Sequence, residues 1–254
     1  MRPAELVVLS DRSGLIRRVR DDVTNLLDHL LAVQPDVHLC LTGGTVGIAV
    51  LNELGTGENS VDWSRVHLWW SDERWLPRGD PERNAQQARG GFIKARAFPS
   101  QNVHEMPAAE EEMTLDEAAL AYAQELRGAG IVDGVRGFDL SLLGVGADGH
   151  VASLFPGRLE DLASLEPVLA VRHSPKPPPE RISLSLATLN ASQRIWIAAS
   201  GEDKRAAITA SQALLNDAKL PVTAVRGHDE TRIYCDADGA PLPSEQSGLR
   251  TQAI

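Results

Sequence analysis

The sequence predicts an α/β fold, a doubly wound and mostly parallel sheet with helices on both faces, of the Rossmann-like type. Short apolar runs alternate along the chain with longer segments in which apolar residues recur at helical spacing. Three of the runs end abruptly in glycines or charged residues, as strands do at the ligand-binding edge of an open sheet. The 254 residues and 43% hydrophobic content allow one large domain, predicted as residues 1–254.

The first half of the chain predicts three strands, each followed by helical segments. The apolar run at 6–9 predicts a strand, and the helix after it, over 14–33, has leucine or valine every three or four residues with Ser13 as its N-cap. The runs at 37–41 and 66–70 predict the next two strands. Further helices are predicted through Leu54, over 81–95 and over 115–126.

The second half continues the alternation. The run at 138–143 predicts a buried strand, and later strands are predicted at 167–171, 182–186, 195–199, 222–225 and 231–235. A helix is predicted over 202–215. Strands separated by helices favour parallel pairing. Loop insertions are predicted around 75–110 and 155–180.

The net charge of the chain argues against two classes of binding partner. A formal net charge of −10 argues against nucleic acid and against anionic membrane surfaces. No apolar stretch has the length of a membrane span, and the first apolar run is too short for a secretory signal. Cys40 and Cys235 lack a CxxC spacing and require no oxidising compartment. We therefore expect a cytoplasmic protein, a monomer or small homo-oligomer, whose partner is a small molecule.

The segment after the 138–143 run carries the main candidate for chemistry. Asp148 and His150 stand two residues apart there, with Gly149 between them. Residues i and i+2 of an extended chain point the same way, so the carboxylate and the imidazole can face one crevice at the carboxyl end of the strand. Such a pair is a candidate for acid/base catalysis. The alternative is an ordinary turn in which the aspartate makes only a local hydrogen bond.

Two earlier strand ends carry further candidates. Gly43, Gly44 and Thr45 join a strand to a helix, where free N–H groups and the helix dipole favour an anion. Arg74 could hold a phosphate with two hydrogen bonds, and Asp72 could accept from sugar hydroxyls. The alternatives are a plain strand-to-helix turn and a surface ion pair.

Two later cations also stand out. Arg181 follows a rigid run of prolines at a predicted strand start, and Lys204 lies in the first turn of a predicted helix. A cation at a helix start is disfavoured by the helix dipole, which favours a ligand-binding reason for Lys204, although surface lysines are common.

Motifs of other site types are missing from the sequence. The seven histidines show no H-E-x-x-H spacing and no Cys/His cluster, and there is no G-x-S-x-G elbow of a serine hydrolase. We therefore expect neither a bound metal nor a cofactor.

Taken in chain order, these segments resemble the 6-phosphogluconolactonase family. The resemblance rests on Thr-Gly-Gly-Thr at 42–45, Ser-Asp-Glu-Arg-Trp-Leu-Pro at 71–77, Asn84, Gly-Val-Gly-Ala-Asp-Gly-His-Val-Ala-Ser-Leu-Phe-Pro-Gly at 144–157, Pro-Pro-Glu-Arg-Ile-Ser at 178–183 and Gly-Glu-Asp-Lys at 201–204. It spans nearly the whole chain and is most specific at 144–157. It implies a metal-free lactone hydrolase of the oxidative pentose phosphate pathway, acting on a phosphorylated sugar lactone.

The resemblance also implies a role for each matching residue. His150 would be the general base that activates water, and Asp148 would orient it. The residues that would hold the substrate are Gly43, Gly44, Thr45, Asp72, Asn84 and Gly146, with Arg74, Arg181 and Lys204 supplying charge for its phosphate. One departure is Val46, which stands where the family often has a threonine, so no hydroxyl contact is expected there.

Two alternatives remain. The related glucosamine-6-phosphate deaminases/isomerases share the Asp-Gly-His element, but they typically have a glutamate at the position of Phe155 and Asp-Glu-Tyr where this chain has Asp-Glu-Arg at 72–74. A non-catalytic sugar-phosphate-binding module, such as the effector domain of a regulator, would normally carry a basic DNA-binding segment, whereas this chain is acidic. Both comparisons favour the lactonase.

Overall fold

The computed structural model describes residues 4–110, 112–133, 136–212 and 220–242. Nine strands are described in these ranges: β1 (Glu5–Leu9), β2 (Val37–Leu41), β3 (Val66–Trp70), β4 (Asp72–Arg74), β5 (Leu140–Leu143), β6 (Val168–Val171), β7 (Arg181–Leu184), β8 (Arg194–Ala199) and β9 (Glu230–Asp236). Six of them form a parallel sheet in the order β1-β9-β8-β5-β2-β3. The predicted α/β class with a mostly parallel central sheet is therefore confirmed.

The helices follow the strands as the alternation predicts. They are α1 (Arg12–Leu31), α2 (Gly44–Gly55), α3 (Asn84–Ala88), α4 (Lys94–Arg96), α5 (Leu115–Gly128), α6 (Leu159–Leu162), α7 (Leu186–Asn190), α8 (Arg205–Gln212) and α9 (Pro221–Ala224). Short 3₁₀ turns lie at Trp63–Arg65, Ser100–Asn102 and Glu202–Lys204, and a π-helical turn at Arg89–Ile93 joins α3 to α4.

The core lies on both sides of the parallel sheet. Every residue of β2 and β5 is buried, although successive strand residues point to opposite faces. On α1 the fully buried residues recur every four positions, at Leu15, Val19, Val23 and Leu27. This apolar stripe holds the helix against the sheet, with the glycine loops left at the carboxyl ends of the strands.

Three of the predicted strands need correction. Of the segment predicted at 222–225, all but Val225 belong to helix α9, because Pro221 starts a helical turn without losing a hydrogen bond. Val222 N–H donates to the Gly149 carbonyl (3.0 Å) and not to a neighbouring strand. The strands predicted at 167–171 and 182–186 exist as β6 and β7, but they lie outside the parallel sheet. With β4 they form a separate antiparallel sheet in the order β4-β7-β6.

Strand β4 itself was not predicted, because Asp-Glu-Arg has low strand propensity and only pairing with β7 makes it extended. The N-cap of α1 is Asp11, whose carboxylate accepts from Gly14 N–H (2.7 Å), and not Ser13.

The insertions and two helices also differ in detail. The helix predicted over 81–95 starts at Asn84, and the insertion at 155–180 contains α6 and β6 as well as loop. The helix predicted over 202–215 begins as a 3₁₀ turn and continues as α8, while 213–215 lie outside the described residues. Among the described helices, none is both long and apolar enough to cross a lipid bilayer.

Candidate active site

A cleft of about 470 Å³ opens at the carboxyl ends of the central strands. The segments after β2, β5 and β8 meet there because these strands are neighbours in the sheet. The structure brings together ten of the eleven predicted site residues as lining of this one cleft: Gly43, Gly44, Thr45, Asp72, Arg74, Asn84, Gly146, His150, Arg181 and Lys204. The eleventh, Asp148, is hydrogen-bonded to His150.

Positive charge is gathered in this cleft although the chain as a whole is acidic. Among the described residues, the cationic side chains that line it are Arg12, Arg74, Lys176, Arg181 and Lys204, whereas its carboxylates are Asp72 and Asp203. A protein of net charge −10 therefore has a locally cationic cleft, which suits an anionic ligand.

Asp148 and His150 meet through a tight turn, and not through the extended backbone that the i, i+2 spacing suggests. Gly149 has a φ of +83°, and its N–H donates to the Gly146 carbonyl (2.9 Å). The turn brings Asp148 Oδ1 to 2.5 Å from Nδ1 of His150. Glycine is needed at 149 because L residues rarely adopt such a φ, and because a Cβ there would lie 3.0 Å from Leu220.

The contact with Asp148 fixes how His150 presents its ring. An ionised carboxylate only accepts hydrogen bonds, so at 2.5 Å the Nδ1 atom carries the proton. The Nε2 lone pair is then available, since Nε2 has no hydrogen-bond partner among the described residues. Burial lowers the pKa of His150, and the charge of Lys176 adds to this, while Asp148 opposes it. A neutral imidazole held by a carboxylate is suited to act as a general base.

Asp148 is correspondingly kept ionised. Burial alone would raise the pKa of this carboxyl, but its hydrogen bond and charge interaction with His150, together with Lys176, leave the pKa below its ordinary value.

Gly146 and Phe155 enclose the Asp148–His150 pair on two sides. A Cβ on Gly146 would lie 2.0 Å from His150 Nδ1 and 2.3 Å from Asp148 Oδ1, so only glycine fits there. The buried ring of Phe155 packs against the imidazole, with centroids 4.9 Å apart. The imidazole is thus held between a glycine and a phenyl ring.

The start of α2 forms another part of the cleft. Gly43 is its N-cap and supplies no side-chain hydrogen bond, so the first amides of the helix are open to a ligand. Gly44 has a φ of +78°, and a Cβ on Gly43 would lie 1.9 Å from Asn84 Oδ1. Arg12 reaches across from α1 and donates to the Thr45 carbonyl (3.2 Å).

Asp72 and Asn84 form a buried polar pair beside these glycines. Asn84 Nδ2 donates to the Asp72 carbonyl (2.9 Å), and Ser153 Oγ donates to Asp72 Oδ2 (2.7 Å). Asn84 Oδ1 is buried without a hydrogen-bond partner among the described residues. A free acceptor of this kind at the wall of a cleft suits a ligand hydroxyl.

Glu73 sets the position of Asn84 from below the cleft. Its buried carboxylate accepts from the N–H groups of Asn84 (2.8 Å) and Ala85 (2.9 Å), so it caps the first turn of α3. Arg83 Nε lies 3.5 Å away. Burial raises the pKa of Glu73, an effect that Arg83 and the backbone donors reduce.

The proline-rich loop before β7 brings two cations to the cleft in different ways. Arg181 donates from Nε and Nη2 to the carbonyls of Lys176, Pro177 and Pro178 (2.8–3.3 Å), and its Nη1 lies 3.8 Å from Asp72. It therefore ties the loop together and has few donors left for a ligand. Lys176 instead points its ammonium at the catalytic candidates, 3.2 Å from His150 Nδ1 and 3.5 Å from Asp148 Oδ1.

Arg74 and Lys204 keep more of their donors free. Arg74 uses Nη1 on the Glu82 carbonyl, and Lys204 Nζ lies 3.0 Å from Asp203. The loop that carries Lys204 is held by Asp236, whose Oδ1 accepts from Gly201 N–H (3.0 Å).

Sequence reasoning assigned no role to two cations of the cleft, Arg12 and Lys176, or to Ser153, which holds Asp72. Lys176 stands inside the rigid run of prolines before Arg181, and its placement between prolines was the available signal. Arg12 at the start of a helix could have been found by the dipole argument that singled out Lys204. Ser153 is buried and lies within the family motif at 144–157, but its contact with Asp72 could not be predicted because the two residues are 81 positions apart in the chain.

Comparison with known proteins identifies the relatives of this chain. The profile of the family described as glucosamine-6-phosphate isomerases/6-phosphogluconolactonase matches residues 10–234. The chain belongs to this family. A 6-phosphogluconolactonase of Streptomyces coelicolor is 39% identical over 243 residues, covering 93% of this chain and 93% of the relative. That of Mycobacterium leprae is 36% identical over 241 residues, covering 93% of this chain and 97% of the relative.

The fold of the family is seen in a solved structure. The crystal structure of a 6-phosphogluconolactonase from Thermotoga maritima matches with a TM-score of 0.80 at 28% identity, covering 92% of this chain and 99% of that one. The similarity in fold therefore extends over nearly the whole chain.

Proposed function

We propose that this protein hydrolyses 6-phospho-D-glucono-1,5-lactone to 6-phospho-D-gluconate, using His150 as the general base. The observation that carries the proposal is the Asp148–His150 pair in a locally cationic cleft. The activity is further supported by 36–39% identity to 6-phosphogluconolactonases over nearly the whole chain.

The reaction follows from the hydrogen bonding of His150. Nε2 removes a proton from a water molecule as the water oxygen attacks the lactone carbonyl carbon. The tetrahedral intermediate then collapses by breaking the bond from this carbon to the ring oxygen, and the imidazolium returns its proton to that oxygen. Asp148 stabilises the imidazolium between these two steps. The products are the ring-opened hydroxyl and the carboxylic acid, which ionises at neutral pH.

The proposed substrate contacts follow the free donors and acceptors of the cleft. Arg74 and Lys204, with donors to spare, bind the phosphate, and Arg181 adds positive charge while bracing its loop. Asn84 Oδ1 and the carboxylate of Asp72 accept from sugar hydroxyls.

The glycine segments complete the proposed binding site. The Gly43, Gly44 and Thr45 backbone forms a cradle at the start of α2, and Gly146 lines the substrate cleft while leaving room for the Asp148–His150 pair.

Phe155 argues against the deaminase alternative. A phenyl ring packs against His150 at the position where the resemblance leads one to expect a glutamate in a deaminase. A phenyl ring cannot exchange a proton with the imidazole, so the proton transfers that a deaminase assigns to the glutamate are missing here.

The proposal is tested by assaying the purified protein on freshly made 6-phosphogluconolactone, with correction for spontaneous opening. We expect rapid hydrolysis by the wild type and a loss of roughly 10²–10⁴-fold in kcat for His150→Ala, the usual contribution of a positioned general base. Conversion of glucosamine 6-phosphate with release of ammonia, and no lactone hydrolysis, would instead establish the deaminase. Activity is expected to persist after EDTA, since no group of three metal-binding side chains is found among the described residues.

We also propose a cytoplasmic location and a monomer or small homo-oligomer. The free, buried Cys40 and Cys235 are compatible with a reducing compartment. Cell fractionation and light scattering test the two proposals.

A further inference from the structure

Two donors converge on one oxygen atom at the base of the cleft. Asp148 Oδ1 lies 2.5 Å from His150 Nδ1 and 3.5 Å from Lys176 Nζ, and the two nitrogens lie 3.2 Å from each other. Lysine ammonium groups only donate, and Nδ1 already donates to the carboxylate. The contact between the two nitrogens is therefore not a hydrogen bond, but two donors that share an acceptor.

Lys176 is held at this place by its own loop. Its carbonyl accepts from Ser174 Oγ (2.8 Å) and from Arg181 Nη2 (3.3 Å), and its N–H donates back to Ser174 Oγ (3.2 Å). Pro175 and Pro177 flank it and restrict the backbone on both sides. These contacts brace the backbone of Lys176, so its half-buried side chain starts from a defined position beside Asp148 and His150.

We propose that Lys176 is a positioning residue that keeps His150 neutral, with its proton on Nδ1 and its Nε2 free, by sharing Asp148 Oδ1 with the imidazole. The proposal rests on the proposed function, in which His150 must be unprotonated at Nε2 to take a proton from water. Lys176 acts from the Nδ1 side of the ring, so it acts through His150.

Burial is the main cause that opposes protonation of His150, and the positive charge of Lys176 adds to it. Asp148 and Asp72 both stabilise an imidazolium, whereas Lys176 destabilises it. Burial of the imidazole works in the same direction as Lys176, and together they leave the pKa of His150 below its ordinary value. Without the ammonium, burial alone would oppose the two carboxylates, so the pKa of His150 should rise and a larger fraction of the ring would be protonated and inactive as a base.

The test compares Lys176→Met, Lys176→Arg and a control variant, Lys94→Met, in which an exposed lysine outside the cleft is changed in the same way. The titration and tautomer of His150 are followed by NMR on protein with ¹⁵N-labelled histidine, with its signals assigned by their absence in His150→Ala. The pH profile of kcat/KM on 6-phosphogluconolactone is measured in parallel.

We expect His150 of Lys176→Met to titrate at higher pH than in the wild type. Relative to the wild type, its kcat/KM should fall about three- to tenfold more at pH 6 than at pH 8, because the loss of the ammonium favours protonation of His150 at the lower pH. Lys176→Arg keeps the charge and should restore the profile, and Lys94→Met should match the wild type.

Three results would overturn the proposal. One is an unchanged His150 titration in Lys176→Met. The second is an equal loss of kcat/KM at every pH, which would mean that Lys176 contacts the substrate directly and does not act through the protonation of His150. The third is the same shift in Lys94→Met, which would indicate a general charge effect. A wild type with no lactonase activity but the expected NMR shifts would refute the proposed function and leave the positioning role of Lys176 intact.

Discussion

Single residues of this site are constrained mainly by space. Gly146 is the clearest case, because the atoms that would collide with a side chain there belong to His150 and Asp148 themselves. Gly144, two residues earlier in the same loop, has open space, since the nearest atom to its Cβ would be Thr42 Oγ1 at 3.9 Å. Substituting each glycine in turn therefore distinguishes displacement of the Asp148–His150 pair from a general effect on the loop.

We predict that Gly146→Ala lowers kcat/KM by roughly 100-fold or more, because the added methyl displaces the imidazole and a displacement of about 1 Å can have that effect. Gly144→Ala should stay within about threefold of the wild type. Steady-state kinetics on the lactone measures both, with circular dichroism to establish folding. Equal activity of the two variants would show that His150 tolerates the displacement and that the packing argument is wrong.

At the scale of secondary-structure elements, the buried carboxylate of Glu73 connects strand β4 to helix α3. Glu73 lies on β4, and its oxygens accept from the first amides of α3 and from Arg74 N–H (2.8 Å). The cap fixes where α3 begins and therefore where Asn84 enters the cleft. The same carboxylate is the ionic partner of the buried Arg83.

Glu73→Gln should destabilise the fold by about 2–4 kcal/mol and raise KM. A glutamine offers one acceptor where two oxygens now serve three N–H donors, and it leaves the buried Arg83 without its counter-charge. Urea denaturation and steady-state kinetics measure the two effects. Glu82→Gln on the exposed surface is the matched control. A Glu73→Gln variant as stable as that control would mean that the cap does not hold α3.

At the scale of the whole molecule, an acidic protein is proposed to capture an acidic substrate. Long-range electrostatics at net charge −10 repel a phosphosugar on average, so binding depends on the cations inside the cleft. A charge-assisted contact to phosphate contributes about 1.5–3 kcal/mol.

Replacing Arg74 or Lys204 by Ala should therefore reduce kcat/KM for the phosphorylated lactone about ten- to hundredfold. Their effect on the slower reaction of unphosphorylated gluconolactone should be small, and Lys94→Ala should change neither. The ratio of the two substrates across the variants isolates the contribution of the phosphate. Equal losses of kcat/KM on both substrates would mean that other residues bind the phosphate.

A second property of the whole molecule is its response to acid. His38, His67 and His104 stack in series outside the cleft, with centroids 4.8 Å and 5.3 Å apart. Burial, together with the charges of Arg136 and His67, lowers the pKa of His38 to about 4, and burial lowers that of His67 as well. The unfolded chain takes up a proton at its ordinary histidine pKa, whereas folded His38 does so only near 4.

The free energy of unfolding should therefore fall as the pH decreases from about 6.5 to about 4, with about 3 kcal/mol of the loss due to His38. Below pH 4 both states carry this proton and the contribution ends. Urea denaturation across this range measures the slope. It should be shallower in His38→Gln and unchanged in His228→Gln, whose side chain is 75% exposed. If the free energy of unfolding depended on pH in the same way in the wild type and in both variants, His38 would not be the cause of the acid sensitivity.

The sequence by itself determined the chain order of the central strands and the helices between them, and it singled out most residues of the candidate cleft. The central strands were predictable because each is a short apolar run bounded by glycine or charge, and burial on both faces requires such a run. The glycine loop at 43–45 and the Asp148–His150 pair were predictable because they follow β2 and β5, and parallel strands bring their carboxyl ends to one edge. The family motifs then implied a role for each residue.

Tertiary structure alone decided what depends on partners far apart in the chain. Strand β4 exists because Asp72–Arg74 pairs with β7 more than a hundred positions later, and its own residues favour no strand. Lys176 reaches the Asp148–His150 pair because Arg181 ties its loop in place, which no local pattern reveals. Local spacing encodes which way a side chain points along its own segment, but which atoms meet across a cleft depends on how separate segments pack.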